Sequence, residues 1–235
     1  MQDNKKIFKR MREFDSYNSK IDMHMHTNWT DGKNSLFQMI DQANINKMNM
    51  IAITDHIRKE SDYFWDYISE INKVKNKYHM RIYSGFEAKI LDVYGNIDIS
   101  NVAVDMADII VASVHRISYM GKFQLPKEFS FEELAQQELN FSLSAIRNSK
   151  KINVIGHSGG MSISTYGKFP EEYFENIVYE CAKNDIAFEF NYKYHQVFEK
   201  ILKQMLFEYN PYVSVGSDAH EVNKISDRSF FNNEV

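Results

Sequence analysis

The 235-residue sequence has few of the residues that cross-link or interrupt a chain: one cysteine (Cys181), three prolines and nine glycines. A single cysteine excludes an internal disulfide framework and fits a reducing compartment. The longest apolar runs, such as "IIVASV", are far too short to span a bilayer. The charged start, "MQDNKKIFKRMREF", lacks the apolar core of a secretory signal. We therefore expect a cytoplasmic protein that does not bind membranes.

The sequence also lacks an excess of positive charge. Its formal net charge is −4 and its pI is about 6.1, which argues against a broad basic surface for nucleic acid. A small anionic substrate stays compatible with this balance, because bound divalent metals can reverse the local field. Serine-elbow, P-loop and dinucleotide-binding motifs are absent, so the reactions they support are not expected.

Apolar residues, in contrast, make up 43% of the chain and aromatic residues 14%, enough for a sizeable core. The length suits one large domain or two small ones. No low-complexity segment or proline-rich linker divides the chain. We expect an N-terminal tail or extra helix over residues 1–19 and a single domain over residues 20–235.

Seven short β-rich segments alternate with amphipathic ones. Several are continuous apolar runs, typical of parallel strands covered on both faces. Seven such units of roughly 30 residues favour a βα-barrel over an open sheet. The predicted strands are 20–26, 48–56, 81–90, 107–115, 151–157, 186–192 and 211–220.

Helices are predicted where apolar residues recur every three or four positions, within 35–46, 62–75 and 196–208. Ser130 and Glu133 form a capping box that begins a helix ending near residue 148. Pro170 suits the first turn of another helix.

Side chains that can bind metal lie at the ends of six predicted strands. In a βα-barrel the carboxyl ends of the strands converge on one mouth, where active sites form. Two pairs are spaced by two residues, which directs both members of each pair to one face of a strand. Burying so many ionisable groups without metal would be costly. The side chains are His24, His26, His56, Glu87, His115, His157, Asp218 and His220.

The motifs around these residues resemble those of the PHP (polymerase and histidinol phosphatase) domain family over residues 21–220. They are "HMHTNWTDG", "ITDH", "GFEAKI", "SVH", "GHSGG" and "GSDAH". The resemblance implies an α/β fold, a distorted (β/α)7 barrel with its metal site at the C-terminal ends of the strands. The chain departs from the usual pattern in "HSGG", where such families follow the histidine with proline.

The resemblance also implies two or three divalent ions held by nine residues, with Glu87 bridging two of the ions. Ligands of this type suit zinc, manganese or iron. The implied groups are His24, His26, Glu87 and Asp218 for one metal, Glu87, His115 and His157 for a second, and Asp31, His56 and His220 for a third.

Four residues near the predicted mouth are candidates for substrate binding. Arg116 follows His115 and Arg58 follows His56, so either guanidinium could bind a phosphoryl group or be a solvated loop charge. Arg228 could close over the mouth from the C-terminal segment. His195 is either a substrate contact or a loop residue.

Other polar residues have supporting or structural interpretations. Asp22 shares a strand face with two candidate ligands and is predicted to orient one of them. Glu189 and Asn191 could support ligands from the sixth strand. His79 precedes a strand and is expected on the surface, whereas Cys181 is expected in the core.

The predicted chemistry is hydrolysis of a phosphate ester. Neighbouring metals can lower the pKa of a water and hold a phosphoryl oxygen, so that hydroxide attacks in line. We expect Glu87, Asp218, His220 and Arg116 to act in this reaction. The substrate would be a small phosphorylated metabolite: histidinol phosphate, a sugar phosphate or a nucleotide phosphate.

Two alternatives stay open. One is a PHP-type nuclease or nucleotide phosphodiesterase, which the acidic balance disfavours but aromatic residues such as Trp29 permit. The other is a metal-stabilised interaction domain without catalysis, which the complete ligand set disfavours. The sequence does not predict the substrate or the oligomeric state.

Overall fold

The computed structural model describes residues 4–15, 20–119, 122–226 and 230. Seven parallel strands lie side by side in chain order, each hydrogen-bonded to the next. They are β1 (Ile21–Asp22), β2 (Met50–Ile53), β3 (Arg81–Lys89), β4 (Ile109–Ser113), β5 (Val154–Ile155), β6 (Ala187–Asn191) and β7 (Tyr212–Gly216).

The first and last of these strands are neighbours in space. No continuous ladder joins β1 to β7 within the described residues, but single backbone hydrogen bonds connect the residues after β1 with β7 and with the loop that follows it. Met23 N–H donates to Val215 O at 2.8 Å, and His26 N–H donates to Ala219 O at 2.9 Å. This arrangement brings the carboxyl ends of the seven strands together, as expected for a distorted barrel.

Helices connect the strands and cover the outside of the sheet. The described helices are α1 (Asn4–Ile7), α2 (Leu36–Ile45), α3 (Phe64–Val74), α4 (Asn101–Met106), α5 (Phe131–Asn148), α6 (Gly160–Tyr166), α7 (Glu171–Asn184), α8 (Tyr192–His195) and α9 (Glu199–Tyr209). None of them is both long and apolar enough to cross a membrane.

The capping chemistry read from the sequence is present at the helix starts. Ser130 accepts the Glu133 N–H and the Glu133 side chain accepts the Ser130 N–H, which confirms the predicted capping box of α5. Pro170 occupies the N-cap of α7. Ser35 and Gln38 make a second box at α2.

Four shorter strands extend this frame. Lys9–Arg10 pairs antiparallel with β7, and Ile7, Phe8 and Met11 around it are buried, so residues 4–15 pack against the barrel. His56–Ile57 pairs in parallel with the end of β3. Ile117–Tyr119 and Lys122–Gln124 form an antiparallel pair after β4.

The core consists of the strands and the inner faces of the helices. Every residue of β6 and β7 is buried, as predicted for strands covered on both faces. Helix α2 buries Leu36, Met39, Ile40 and Ala43, the face predicted from its periodicity. Cys181 is buried in α7 and His79 is exposed, both as predicted.

The number of strands is confirmed, but several predicted strands were too long. Ladder pairing ends at Asp22, Ile155 and Gly216, before the polar residues that follow. At Asp218 the backbone is left-handed, with φ of 53°, which is incompatible with a β ladder. The chain therefore leaves the sheet where its polar side chains turn toward the mouth.

Candidate metal centre

Glu87 lies at the middle of a group of five histidines at the mouth of the barrel. Its side chain is 1% exposed, and its two carboxylate oxygens face different rings. The shortest distances from its carboxylate are 2.8 Å to His157, 3.0 Å to His115, 3.0 Å to His56, 3.5 Å to His24 and 3.5 Å to His26.

The strand register explains why these residues meet. His56 is paired directly with Glu87. Glu87 is in turn paired with Val111 on β4, and that strand ends at Ser113, two residues before His115. The histidines after β1 are fixed from the other side, because the carbonyl of His24 accepts the Asp218 N–H at 2.9 Å. The positions of the histidine rings are therefore set by strand pairing around Glu87 and by single backbone hydrogen bonds around His24.

Asp31 forms the outer part of the centre. Its carboxylate lies 3.3 Å from His220 Nε2, 3.4 Å from His56 Nε2 and 3.8 Å from His26 Nδ1. Although 52% of its side chain is exposed, the three rings hold the pKa of the Asp31 carboxyl below its usual value, against the opposing effect of partial burial. Asp31 thus provides a second carboxylate, on the solvent-exposed side of the centre.

Asp218 completes the inner part. Its Oδ1 lies 3.2 Å from His26 Nε2 and 4.0 Å from His24 Nε2. Its Oδ2 accepts hydrogen bonds from Lys193 Nζ at 2.6 Å and from the Tyr194 hydroxyl at 3.3 Å. Burial would raise the pKa of Asp218, but the close contact with His26 and the charges of His24 and His157 hold it well below its usual range.

These contacts bring all nine implied ligands into one centre. Within it, three overlapping groups each place their ligand atoms within 4.8 Å of one another. They share His26, His56 and Glu87, so the outer group contains His26 as well as the three residues that the resemblance implies. The groups are His24, His26 and Glu87; His56, Glu87 and His115; and His26, Asp31, His56 and His220.

The donor atoms fit divalent cations. His24 Nε2 and both ring nitrogens of His26 are buried and have no hydrogen-bond partner among the described residues. Buried polar atoms are normally paired, so nitrogens directed at carboxylates without such a bond are placed to bind a cation.

The carboxylate at the centre is held in its ionised form. Burial alone would raise the pKa of Glu87, but the charges of His115 and His24 and the hydrogen bonds from His115 and His157 outweigh it. The pKa of Glu87 is consequently well below its usual value. A buried anion with five rings around it is a strong attractor for cations.

Glu189 supports the inner histidines from behind. Its Oε1 lies 2.7 Å from His24 Nδ1, and its Oε2 accepts the His157 backbone N–H. Because an ionised carboxylate only accepts, His24 Nδ1 carries the hydrogen and Nε2 is left to face the centre. Gly216 is required beside it, since a Cβ there would lie 2.3 Å from Glu189 Oε1. Asn191 Nδ2 also donates to Glu189, at 3.2 Å.

Two further buried carboxylates position the loops. Asp22 accepts the Ser217 N–H at 2.9 Å and the Ser226 N–H at 3.1 Å, and burial raises its pKa to about 6. It therefore positions the loop that carries Asp218. Asp55 accepts the Thr27 N–H at 2.9 Å and the Thr30 hydroxyl at 2.7 Å, which fixes the loop leading to Asp31.

Two cavities open beside the centre and meet at Lys193, Asp218 and His220. One, of about 330 Å³, is lined by six of the nine candidate ligands and by the two predicted substrate-binding residues Arg58 and Arg116. The other, of about 730 Å³, contains only two of those ligands. The smaller cavity is therefore the one that gives direct access to Glu87.

The remaining substrate-binding candidates lie elsewhere. His195 is fully buried: its Nδ1 accepts the Asn191 N–H at 3.1 Å, and its Nε2 donates to Ser158 O at 2.9 Å. Burial lowers the pKa of His195 to about 4. His195 thus supports the loop after His157 and does not line either cavity. Arg228 lies outside the described residues.

Sequence reasoning missed Lys89, Lys193 and Asp55. A signal existed for two of them: Lys89 is two residues after Glu87 on the same strand face, and Asp55 directly precedes His56. Lys193 reaches Asp218 from the four-residue helix α8, which is too short to leave a periodic pattern.

Known proteins share this architecture. A histidinol phosphate phosphatase of Lactococcus lactis subsp. lactis Il1403, solved with zinc, L-histidinol and phosphate, superposes with a TM-score of 0.69 at 20% identity, covering 87% of each chain. A candidate histidinol phosphatase of Listeria monocytogenes gives a TM-score of 0.71 at 20% identity, covering 88% of this chain and 97% of that one. At these identities the likeness shows the fold.

Sequence relatives point the same way. A probable phosphatase of Caldicellulosiruptor saccharolyticus is 27% identical over 214 residues, covering 86% of this chain and 80% of the relative. One of Caldicellulosiruptor bescii is 28% identical with the same coverage. The PHP domain profile matches residues 22–202, which contain seven of the nine candidate ligands. With more than half of its length matched by that profile, the chain belongs to the PHP domain family.

Proposed function

We propose that this protein is a metal-dependent phosphomonoesterase acting on a small phosphorylated metabolite. The observation that carries the proposal is the nine-residue centre around Glu87, with unpaired histidine nitrogens next to an arginine-lined cavity. The names of the sequence relatives, probable phosphatases, support the same reaction class. A reducing compartment such as the cytoplasm suits a chain whose single cysteine is buried.

The centre would hold two or three divalent ions, of zinc, manganese or iron. In the assignment that the resemblance implies, Glu87 would be shared by the two inner ions, one held with His24, His26 and Asp218 and the other with His115 and His157. The Glu87 Oε1 lies nearest His24, His115 and His157, and the Oε2 lies nearest His26 and His56. Asp31, His56 and His220 would hold the outer one. When bound, such ions supply Lewis acidity to the phosphoryl oxygens and an activated water for attack.

The protein's own residues would bind and orient the ester. Arg116 and Arg58 line the cavity that leads to Glu87, so their guanidinium groups are placed to bind an anionic group of the substrate. Glu189 and Asp22 hold the rings and the loop of the centre at fixed positions, so that the attacking and leaving groups can align.

Metal analysis followed by a phosphate-release screen tests the proposal. We expect at least two divalent ions per chain, and phosphate release from sugar, amino-alcohol or nucleotide monoesters that exceeds cleavage of single-stranded DNA or RNA. Degradation of oligonucleotides at the higher rate would support the nuclease alternative. Stable metal binding without turnover of any ester would support an interaction domain.

A further inference from the structure

Four cations line the smaller cavity beside the metal centre: Lys193, which donates to Asp218, and three others, Arg58, Lys89 and Arg116. The lining of this cavity also contains Asp98, a carboxylate that is not one of the candidate ligands. The Oδ1 of Asp98 accepts the backbone N–H of Lys59 at 2.9 Å. Among the described residues, no ion pair joins Arg58 or Arg116 to a carboxylate. The cavity therefore has more positive than negative side chains.

The other three cations form a second layer, farther out than the ligands. Lys89 follows Glu87 by two residues on β3, so both side chains point to the same face about 7 Å apart along the strand. His56 is paired with Glu87 and Ile57 with Ala88, and Arg58 continues that segment at the height of Lys89. Arg116 directly follows His115. This cation layer (Arg58, Lys89 and Arg116) covers one side of the approach to the centre.

The three charges are close enough to act on one another. All three side chains line the same cavity of about 330 Å³. Like charges gathered in a concave, partly desolvated space create a positive potential that an anion relieves. The concave shape of the cavity and its positive charges thus both favour an anionic ligand.

One phosphoryl group does not need this layer in addition to the metals. Two or three divalent ions carry more charge than the three carboxylates among their candidate ligands, so the scissile group already has counter-charges at the centre. We infer that the substrate is a phosphate monoester with a second anionic group, a phosphoryl or a carboxylate, which the cation layer binds. This inference rests on the proposed phosphatase function and narrows its substrate class.

The same layer disfavours histidinol phosphate. That ester has an amino group, which is protonated at neutral pH and would lie near the cations when its phosphoryl group is at the centre. Repulsion of the wrong charge is a common source of specificity. This chain can therefore share the fold of the histidinol phosphatases and still act on a different substrate class.

The test compares matched substrates with the metal-loaded wild-type protein. Glucose 1,6-bisphosphate is compared with glucose 6-phosphate, 3-phosphoglycerate with glycerol 3-phosphate, and L-histidinol phosphate is included as the ester with an ammonium group. In at least one pair, we expect kcat/KM to be at least about tenfold higher for the substrate with the second anionic group than for its partner, the effect of one charge-assisted contact. The pair that shows the ratio identifies the second anion as phosphoryl or carboxylate.

Variants locate the effect. Lys89→Gln and, independently, Arg58→Gln should reduce that ratio roughly tenfold. Lys150→Gln, an exposed lysine in the turn after α5, is the matched control and should leave the ratio unchanged. Metal content and circular dichroism are measured for each variant.

The outcomes separate the two proposals. Ratios near one, a preference for histidinol phosphate, or a ratio that both variants leave unchanged would overturn the inference while the phosphatase function stands. Absence of phosphate release from every ester would instead overturn the proposed function, and the inference with it.

Discussion

Glu87 differs from the histidines around it because a carboxylate has two oxygen atoms and can contact two cations, whereas an imidazole offers one nitrogen to one cation. Its Oε1 faces His24, His115 and His157, and its Oε2 faces His26 and His56. Glu87→Gln keeps the shape and removes the charge. We expect activity to fall by roughly a hundredfold or more, beyond the effect typical of residues that only orient a ligand, with at least one metal lost.

The control for this prediction is His220→Asn. His220 contacts Asp31 in the outer group, so its loss should spare the two inner metals and mainly affect the third. Activity and metal stoichiometry are measured for both variants, with circular dichroism as the check of folding. Wild-type turnover and full metal content in Glu87→Gln would show that Glu87 does not bridge.

A substitution of Glu189 tests whether this residue positions the metal ligands His24 and His157. In Glu189→Gln, an NH2 group replaces one of the two carboxylate oxygens. The side chain can then no longer accept hydrogen bonds from both His24 Nδ1 and the His157 N–H. Metal affinity should fall about 10- to 100-fold, the effect usual for a partner that orients a ligand. Competitive titration with a chromophoric chelator measures the affinity directly, independently of turnover.

The matched control is Glu180→Gln, which removes a carboxylate that pairs with Arg147 on the outer helices. Its metal affinity should equal that of the wild type. Equal affinities in all three proteins would mean that Glu189 only fills space beside Gly216.

The residues of the centre could be named from the sequence because they follow strands whose carboxyl ends must meet. What could not be derived is which ligands are shared. His26 contacts both Asp31 and Asp218 because its ring lies between the outer and inner groups, a fact set by tertiary packing. The interaction of Lys193 with Asp218 likewise depends on how the chain turns after β6.

At the scale of elements, a buried carboxylate ties α6 to α5. Glu138 in the middle of α5 accepts the Met161 N–H at 2.9 Å and the Ser162 N–H at 2.8 Å, and the Ser162 hydroxyl also donates to it. These are backbone donors of the first turn of α6, which have no partner within their own helix. The segment that follows His157 is thereby anchored to the outer helical layer.

This anchor gives a pH dependence with a definite sign. Burial raises the pKa of Glu138 from 4.5 to about 7, so between these values the folded protein binds more protons than the unfolded chain. The resulting stability is fully present below pH 4.5 and is lost as the pH rises to about 7. Relative to Glu138→Gln, the free energy of unfolding of the wild type should fall by roughly 3 kcal/mol over that range.

Urea unfolding of both proteins at several pH values measures this difference. The histidines and metals titrate in both proteins, so their contribution cancels in the comparison. A difference that rises with pH would mean that the hydrogen bonds to the Glu138 carboxylate outweigh its burial.

The helices that could be predicted are those long enough for apolar residues to recur every three or four positions. Helices α2, α3, α5, α7 and α9 have at least ten residues and one apolar face each, and the sequence predicts all five. Helices α4, α6 and α8 have seven residues or fewer, which is too short for an apolar stripe to stand out. Their positions depend instead on anchors such as Glu138.

On the scale of the whole molecule, the centre joins segments that are far apart in the chain. Its ligands come from the ends of six strands, and β1 and β7 are connected only by single backbone hydrogen bonds in the described structure. By the implied assignment, the cation bound by His24, His26, Glu87 and Asp218 and the outer one bound by Asp31, His56 and His220 would therefore connect the two ends of the sheet as well as serve the reaction. Since the unfolded chain cannot assemble this site, metal binding adds to the stability of the fold.

Metal removal should consequently destabilise the whole barrel. A ligand present at 100 to 1,000 times its Kd stabilises the folded state by about 3–4 kcal/mol, which for a domain of this size shifts Tm by roughly 5–15 °C. We expect chelation to lower Tm by that amount and added zinc or manganese to restore it. In Glu87→Gln the shift should be much smaller, because that variant has already lost a bridging charge. An unchanged Tm after complete chelation would mean that the barrel closes through its backbone and core alone, and that the cations contribute to catalysis without stabilising the fold.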